Sequence, residues 1–126
     1  MSFKGKEVKV LITGDAKEEF EQLNKTVDEE ISKGIVKSRN QILLNSIKQK
    51  IEFLKSNPEY GIHIAKNKIP KEYTLKYEIN NLWKVDLSNG RRMIYTLRGS
   101  EIEIIALILD IVEHPEYDKI FGYRRR

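Results

Sequence analysis

The chain has 126 residues, the size of one domain, and a net charge of +4, which is moderately basic. It has no cysteine, so disulfide scaffolds, thiolate metal sites and cysteine nucleophiles are excluded, and its two histidines, His63 and His114, argue against a multi-histidine metal centre. Hydrophobic residues at 40% and charged residues at 33% give the balance of a globular domain, with no apolar stretch near the ~18 residues of a membrane helix.

The opening Met-Ser-Phe-Lys-Gly-Lys lacks the apolar block of a signal peptide, so the expected address is the cytoplasm. Residues 1–6 and 124–126 are expected to be flexible ends of a single domain spanning 1–126. Residues 7–13 alternate and then turn apolar, which predicts a first strand ended by Gly14. Asp15 and Glu18 have the spacing of a capping box, and Phe20, Leu23, Val27 and Ile31 follow at helical spacing, so a helix runs to about Ser32 and stops near Gly34. Ser38 and Gln41 repeat the capping signature. Leu43 or Leu44, Ile47, Ile51 and Leu54 form the stripe of a second helix, ended by Asn57-Pro58. Two helices with a short link make an antiparallel hairpin whose stripes read as core.

Residues 59–81 read as irregular, except for a helical turn over about 70–77 that Pro70 can begin and that places Tyr73 and Tyr77 one turn apart. Lys66, Lys68, Lys71 and Lys76 against Glu72 make this segment locally positive. Leu82–Leu87 alternates, with Trp83, Val85 and Leu87 on one face and Lys84 and Asp86 on the other, and Trp83 reads as core. Ser88-Asn89-Gly90 signals a tight turn into a strand over Arg92–Leu97, and Arg98-Gly99-Ser100 a second turn. Ile102–Val112 is apolar on both faces, as a central, doubly covered strand is. A short helix over 116–121 and Gly122 as its stop complete an α+β reading. In it a helical hairpin covers one face of a sheet built on an N-terminal strand and a three-stranded antiparallel meander. The other face is expected to carry Lys84, Asp86 and Arg92 together, with His114 leaving the central strand near them.

No phosphate-binding glycine loop, dinucleotide fingerprint, paired-histidine zinc helix or nucleophile-elbow serine is present. What remains is a basic, partly aromatic surface of Lys84, Arg91, Arg92, His114, Tyr117, Tyr123 and the tail Arg124, Arg125 and Arg126. Six of the seven arginines lie from Arg91 onward, and a guanidinium can grip phosphate bidentately. Metal-free phosphodiester cleavage needs a base for the 2′-hydroxyl, an acid for the 5′-oxygen and cations for the anionic transition state. His114 is the histidine suited to acid–base work and Arg92 the suited cation. No metal or cofactor is expected.

The strand Leu-Trp-Lys-Val-Asp-Leu, the turn and Arg-Arg-Met-Ile-Tyr, in this order of elements, resemble the RelE/ParE toxins of type II toxin–antitoxin modules. Ile-Pro-Lys-Glu-Tyr…Asn-Asn-Leu-Trp-Lys and His-Pro-Glu-Tyr-Asp-Lys-Ile-Phe-Gly-Tyr resemble an archaeal and bacterial branch of that superfamily, over about residues 7–123. The resemblance implies a ribosome-dependent endoribonuclease that cuts mRNA, with Arg92 steadying the scissile phosphate and Lys84 in support. Where the best-known members carry a second cation, this chain has Asp86. Relatives with a carboxylate base and a histidine acid offer Asp86 or Glu72 as base and His114 as acid. The family's terminal aromatic falls on Tyr117, Phe121 or Tyr123. Lys66, Lys68, Lys71, Arg91, Tyr123 and Arg124–Arg126 are then expected to contact RNA. The resemblance also implies a cognate antitoxin, acidic and partly disordered before binding, docking on the exposed sheet edge and beside the hairpin, with a heterotetramer among the assemblies. The same fold carries ParE-type gyrase poisons, and a non-catalytic antitoxin- or RNA-binding protein is the further alternative.

Overall fold

The computed structural model describes residues 2–122, with the backbone alone for Ser2 and His114. In chain order these form β1 (Ser2–Phe3), β2 (Lys6–Ile12), α1 (Gly14–Ser32), α2 (Arg39–Ser56) and β3 (Ile62–His63), then a 3-10 turn (Lys66–Lys68) and α3 (Lys71–Tyr77). β4 (Trp83–Asp86), β5 (Arg91–Gly99), β6 (Glu103–Glu113) and α4 (His114–Ile120) complete the fold. The strands make one sheet in the order β1-β2-β6-β5-β4-β3. β2 is parallel to β6 and every other neighbouring pair is antiparallel. The α+β architecture with a helical hairpin, a β4-β5-β6 meander and a short last helix is therefore as expected. The sequence reading misses the two-residue edge strands β1 and β3, because two residues carry no visible period. The opening segment, read as flexible, pairs with β2 at Lys6 and Glu7.

Local signals explain most boundaries. α1 begins at Gly14 with Thr13 as N-cap, so Asp15 lies inside the first turn instead of capping it. There its carboxylate accepts from Lys76 Nζ at 3.0 Å. Gly14 adopts φ +58°, and a Cβ there would sit 2.8 Å from the Tyr77 hydroxyl oxygen, so glycine is required twice over. Ser38 caps α2 as expected, its Oγ accepting from the Gln41 N–H at 3.1 Å. The Gln41 side chain does not close the box; its amide donates to the Ile35 carbonyl at 3.0 Å and so ties the link between the helices. Asn89 and Gly90 both take positive φ, the requirement of the tightest hairpin turn.

Two cores lie on opposite faces of the sheet. On one, Ala16, Leu43, Ile47 and Leu54 of the hairpin pack on Val85, Met93, Tyr95, Ala106, Ile108 and Ile111. Phe20, Leu23, Ile51, Leu97 and the half-buried Trp83 join them. On the other, Ile64, Tyr73, Ile79, Leu82 and Tyr117 pack on Ile94, Leu109 and Val112. The stretch read as irregular thus covers half of the sheet, and β6 is doubly covered. A β-bulge at the Ile94/Tyr95 step brings Asp110 opposite Ile94, on the second face. There its carboxylate accepts from the Tyr73 hydroxyl at 3.1 Å. Two residues before β4, Asn81 makes a side-chain bridge to β5: its amide donates to the Leu97 carbonyl and its oxygen accepts from the Leu97 N–H, both at 2.9 Å. The same oxygen accepts from Trp83 Nε1 at 3.2 Å, so the Asn-x-Trp spacing serves this bridge.

Candidate active site

The antiparallel β4-β5 pair sets the site. Asp86 lies opposite Arg92, and Lys84 is two residues before Asp86, so all three share the second face of the sheet. Arg92 Nε donates to Asp86 Oδ1 at 2.9 Å. Arg92 is 18% exposed and Asp86 69%, so the carboxylate stands in water and the guanidinium lies against protein. What it lies against is Tyr117 of α4. The Arg92 Cζ is 4.5 Å, and Lys84 Nζ 5.1 Å, from the centroid of that ring. Tyr117 is fully buried and stacks on Phe121 at 4.2 Å between centroids.

Two cations over one aromatic ring gain from its quadrupole, about 0.5–2 kcal/mol each according to desolvation. They also repel one another. Asp86 offsets one of the two charges, and the patch keeps a net positive charge that an anion can satisfy. The Asp86 bond uses the Nε–H, one of five donors on the guanidinium; the terminal pair of nitrogens, the fork that suits phosphate, is not part of it.

The expected residues divide around this patch. Lys84, Asp86, Arg92 and Tyr117 come together. Tyr117 is the floor beneath the cations, not an exposed stacking surface. Arg91, next in sequence to Arg92, points to the opposite face, where Nη1 meets Glu19 at 3.1 Å and Nη2 meets Glu113 at 3.4 Å. Burial pushes the Glu19 carboxyl above its usual range, and the Arg91 charge opposes this. Lys66, Lys68 and Lys71 are exposed on the segment that covers the second core, Glu72 is exposed on α3, and Phe121 is partly buried. Lys76 belongs to its ion pair with Asp15, and that hydrogen bond raises its pKa. His114 begins α4 two residues beyond Val112, the partner of Arg92, and its side chain lies outside the described residues. Tyr123, Arg124, Arg125 and Arg126 lie outside them too.

Two features near the site escaped the sequence reading. One is the 57–63 turn and β3, where Ile62 lies opposite Lys84 and His63 opposite Trp83. The brief alternation Gly-Ile-His-Ile was the available signal. The other is the half-buried Asp110–Tyr73 pair, hidden because the bulge reverses the period that would have assigned Asp110 its face.

At the far edge of the sheet, β1 covers β2 only at Lys6 and Glu7, so Val8–Ile12 present an outer edge with no strand on it among the described residues. Beside it runs a groove of about 780 Å³ between Val10, Leu11 and Ile12 and the Phe20 and Asn24 side of α1.

The sequence matches no protein-family model and no curated protein. Among solved structures, a YoeB/ParE toxin from Agrobacterium tumefaciens superposes with a TM-score of 0.51 over 84% of this chain and 98% of that chain, at 18% identity. Identity that low speaks for fold alone, and this chain shares the α+β fold of that toxin. Among the described residues no helix is long and apolar enough to cross a membrane.

Proposed function

We propose that this protein is the toxin of a toxin–antitoxin pair and that it cleaves mRNA on the ribosome without a metal ion. The observation that carries the reading is the pair of cations, Lys84 and Arg92, held side by side over the buried Tyr117 ring. In the reaction the 2′-oxygen attacks the neighbouring phosphorus and the P–O5′ bond breaks, leaving a 2′,3′-cyclic phosphate and a 5′-hydroxyl. Arg92 and Lys84 hold the phosphoryl oxygens as negative charge grows on them. Asp86, the exposed carboxylate on that face, takes the 2′-hydroxyl proton, and His114 returns a proton to the 5′-oxygen. Glu72, on the exposed side of α3, is the weaker candidate for the base.

The antitoxin completes the proposal. The open β2 edge and the apolar groove beside α1 suit an extended segment that adds a strand and lays apolar side chains against Leu11 and Phe20. A second reading, a non-catalytic binding protein of this fold, is favoured by the Asp86–Arg92 pair, which occupies the cation with an anion of the protein's own.

The test is expression without the partner. Growth should stop, incorporation of labelled amino acid should fall and thymidine incorporation should continue. Programmed ribosomes should then yield mRNA fragments with the two termini named above. Loss of thymidine incorporation first would instead assign a gyrase poison, and harmless expression a non-catalytic protein.

A further inference from the structure

We propose that the β3 edge of the sheet is a second subsite for single-stranded RNA, which receives nucleotides flanking the phosphodiester held at Arg92. This rests on the reading that the Arg92 face meets RNA.

The 57–63 turn is built to stay still. The Tyr95 hydroxyl donates to the Pro58 carbonyl at 2.8 Å and accepts from the Gly61 N–H at 3.0 Å. Gly61 is pressed so close that a Cβ would sit 2.6 Å from the Lys84 carbonyl oxygen and 2.7 Å from the Tyr95 hydroxyl oxygen. Yet this fixed turn holds apolar groups in water. Tyr60 is 43% exposed and Ile62 59%, and Phe53 of α2, at 37%, meets Tyr60 with ring centroids 5.1 Å apart. Lys50 Nζ lies 5.4 Å from the Phe53 ring and 5.8 Å from the Tyr60 ring.

Exposed rings with a cation beside them are the parts from which sequence-tolerant single-strand sites are made: rings for base faces, ammonium groups for phosphates. The patch stands on the α2 side of the sheet and meets the candidate active site around the β3–β4 edge. Ile62 lies opposite Lys84, and a cleft of about 220 Å³ runs between Lys50, Tyr60, Ile62, Lys84 and Asp86. From β5 to β3 is two strand spacings, about 10 Å, and the rings lie further, round the edge, so several nucleotides are needed to join them to Arg92. Charge argues for an anionic occupant over an apolar one, and the exposed ring faces, which suit bases, argue for nucleic acid among anions. The rings are flanked by Lys50 and Lys84, and the acid of the turn, Glu59, is 3.7 Å from Lys4.

The test uses the whole chain and fluorescein-labelled 2′-O-methyl RNA of three and of nine nucleotides, whose blocked 2′-oxygens cannot attack. Anisotropy should show the nonamer bound more tightly than the trimer. Tyr60→Ala should weaken the nonamer roughly 5- to 150-fold, the range for one lost base stack, and leave the trimer unchanged. Tyr60→Phe should restore nonamer binding. Lys50→Gln, which keeps both rings, should lower the slope of log affinity against log salt by about 0.7. Arg92→Ala should weaken both lengths. If Arg92→Ala has no effect while Tyr60→Ala weakens the nonamer, the subsite stands and the assignment of Arg92 falls. The subsite itself is overturned if wild-type protein binds nonamer no better than trimer, or if folded Tyr60→Ala and Lys50→Gln bind the nonamer as wild type does. It is also overturned if Tyr60→Ala releases a co-purifying protein and leaves RNA binding intact.

Discussion

Tyr95→Phe removes one oxygen atom from the protein and should be felt in two places. The ring of Tyr95 is fully buried between the hairpin and the sheet, and phenylalanine keeps that packing. The loss falls on the two partners of the hydroxyl, the Pro58 carbonyl at 2.8 Å and the Gly61 N–H at 3.0 Å. Pro58 is buried, so its carbonyl has little recourse to water, whereas Gly61 is half-buried and regains some. A buried polar group left unpaired costs about 1–3 kcal/mol, and the two together should cost about 2–3 kcal/mol. For a domain of this length that is on the order of 6–15 °C in melting temperature. Burial pushes the phenol pKa far up, so the hydroxyl remains a donor throughout the accessible pH range and the loss should not vary with pH. Thermal melting monitored by circular dichroism measures the first effect. Hydrogen exchange at the Gly61 amide measures the second, and it should quicken more than exchange along β5. A melting temperature within 2 °C of wild type, with unchanged exchange at Gly61, would refute the view that this hydroxyl pins the turn.

Asp110 should be a stability cost at neutral pH: burial raises its pKa above the usual carboxylate value, the Tyr73 hydrogen bond opposes this, and the charges of Asp15 and Glu116 add to the rise. An acid whose folded pKa exceeds its unfolded one destabilises when ionised, so stability from this group should rise as pH falls from neutral towards about 4. Asp110→Asn should therefore be more stable than wild type at pH 7 and gain less on acidification, as read by urea denaturation at pH 7 and pH 5; a less stable variant at pH 7 contradicts the assignment. Arg92→Ala should slow single-turnover cleavage on programmed ribosomes by about 100- to 1000-fold with a smaller effect on binding, and His114→Ala by roughly 100- to 10,000-fold if it is the acid; a folded variant cleaving at the wild-type rate removes that residue from the mechanism. Arg91→Ala should leave cleavage nearly unchanged, because its side chain is engaged with Glu19 and Glu113 on the opposite face; a loss comparable to that of Arg92→Ala would contradict this. Neutralising Arg124, Arg125 and Arg126 together should lower the salt dependence of RNA binding by about 0.7 per lost contact, and an unchanged slope would leave the tail without a role there.

How much of this was readable from residues alone follows from the range over which each signal acts. The two long helices, the Asn89-Gly90 turn and the β4-β5-β6 meander are local: caps, 3.6- and 2-residue periods and turn chemistry act within a few residues, and the sequence determined them. The period of two also placed Lys84, Asp86 and Arg92 on one face, because cross-strand neighbours in a tight hairpin inherit their register from the turn. Only the tertiary structure decided what covers that face. Residues 64–82 carry no strong period, yet Ile64, Tyr73, Ile79 and Leu82 bury against the sheet, since burial depends on which chains meet and not on sequence spacing. The parallel pairing of β2 with β6 is likewise a long-range outcome. The bulge that turns Asp110 towards Tyr73, and α4 folding back to slide the Tyr117 ring under Lys84 and Arg92, are decided where the packing of two faces meets. A cation's partner across the fold is a matter of ångströms, and ångströms are set by packing.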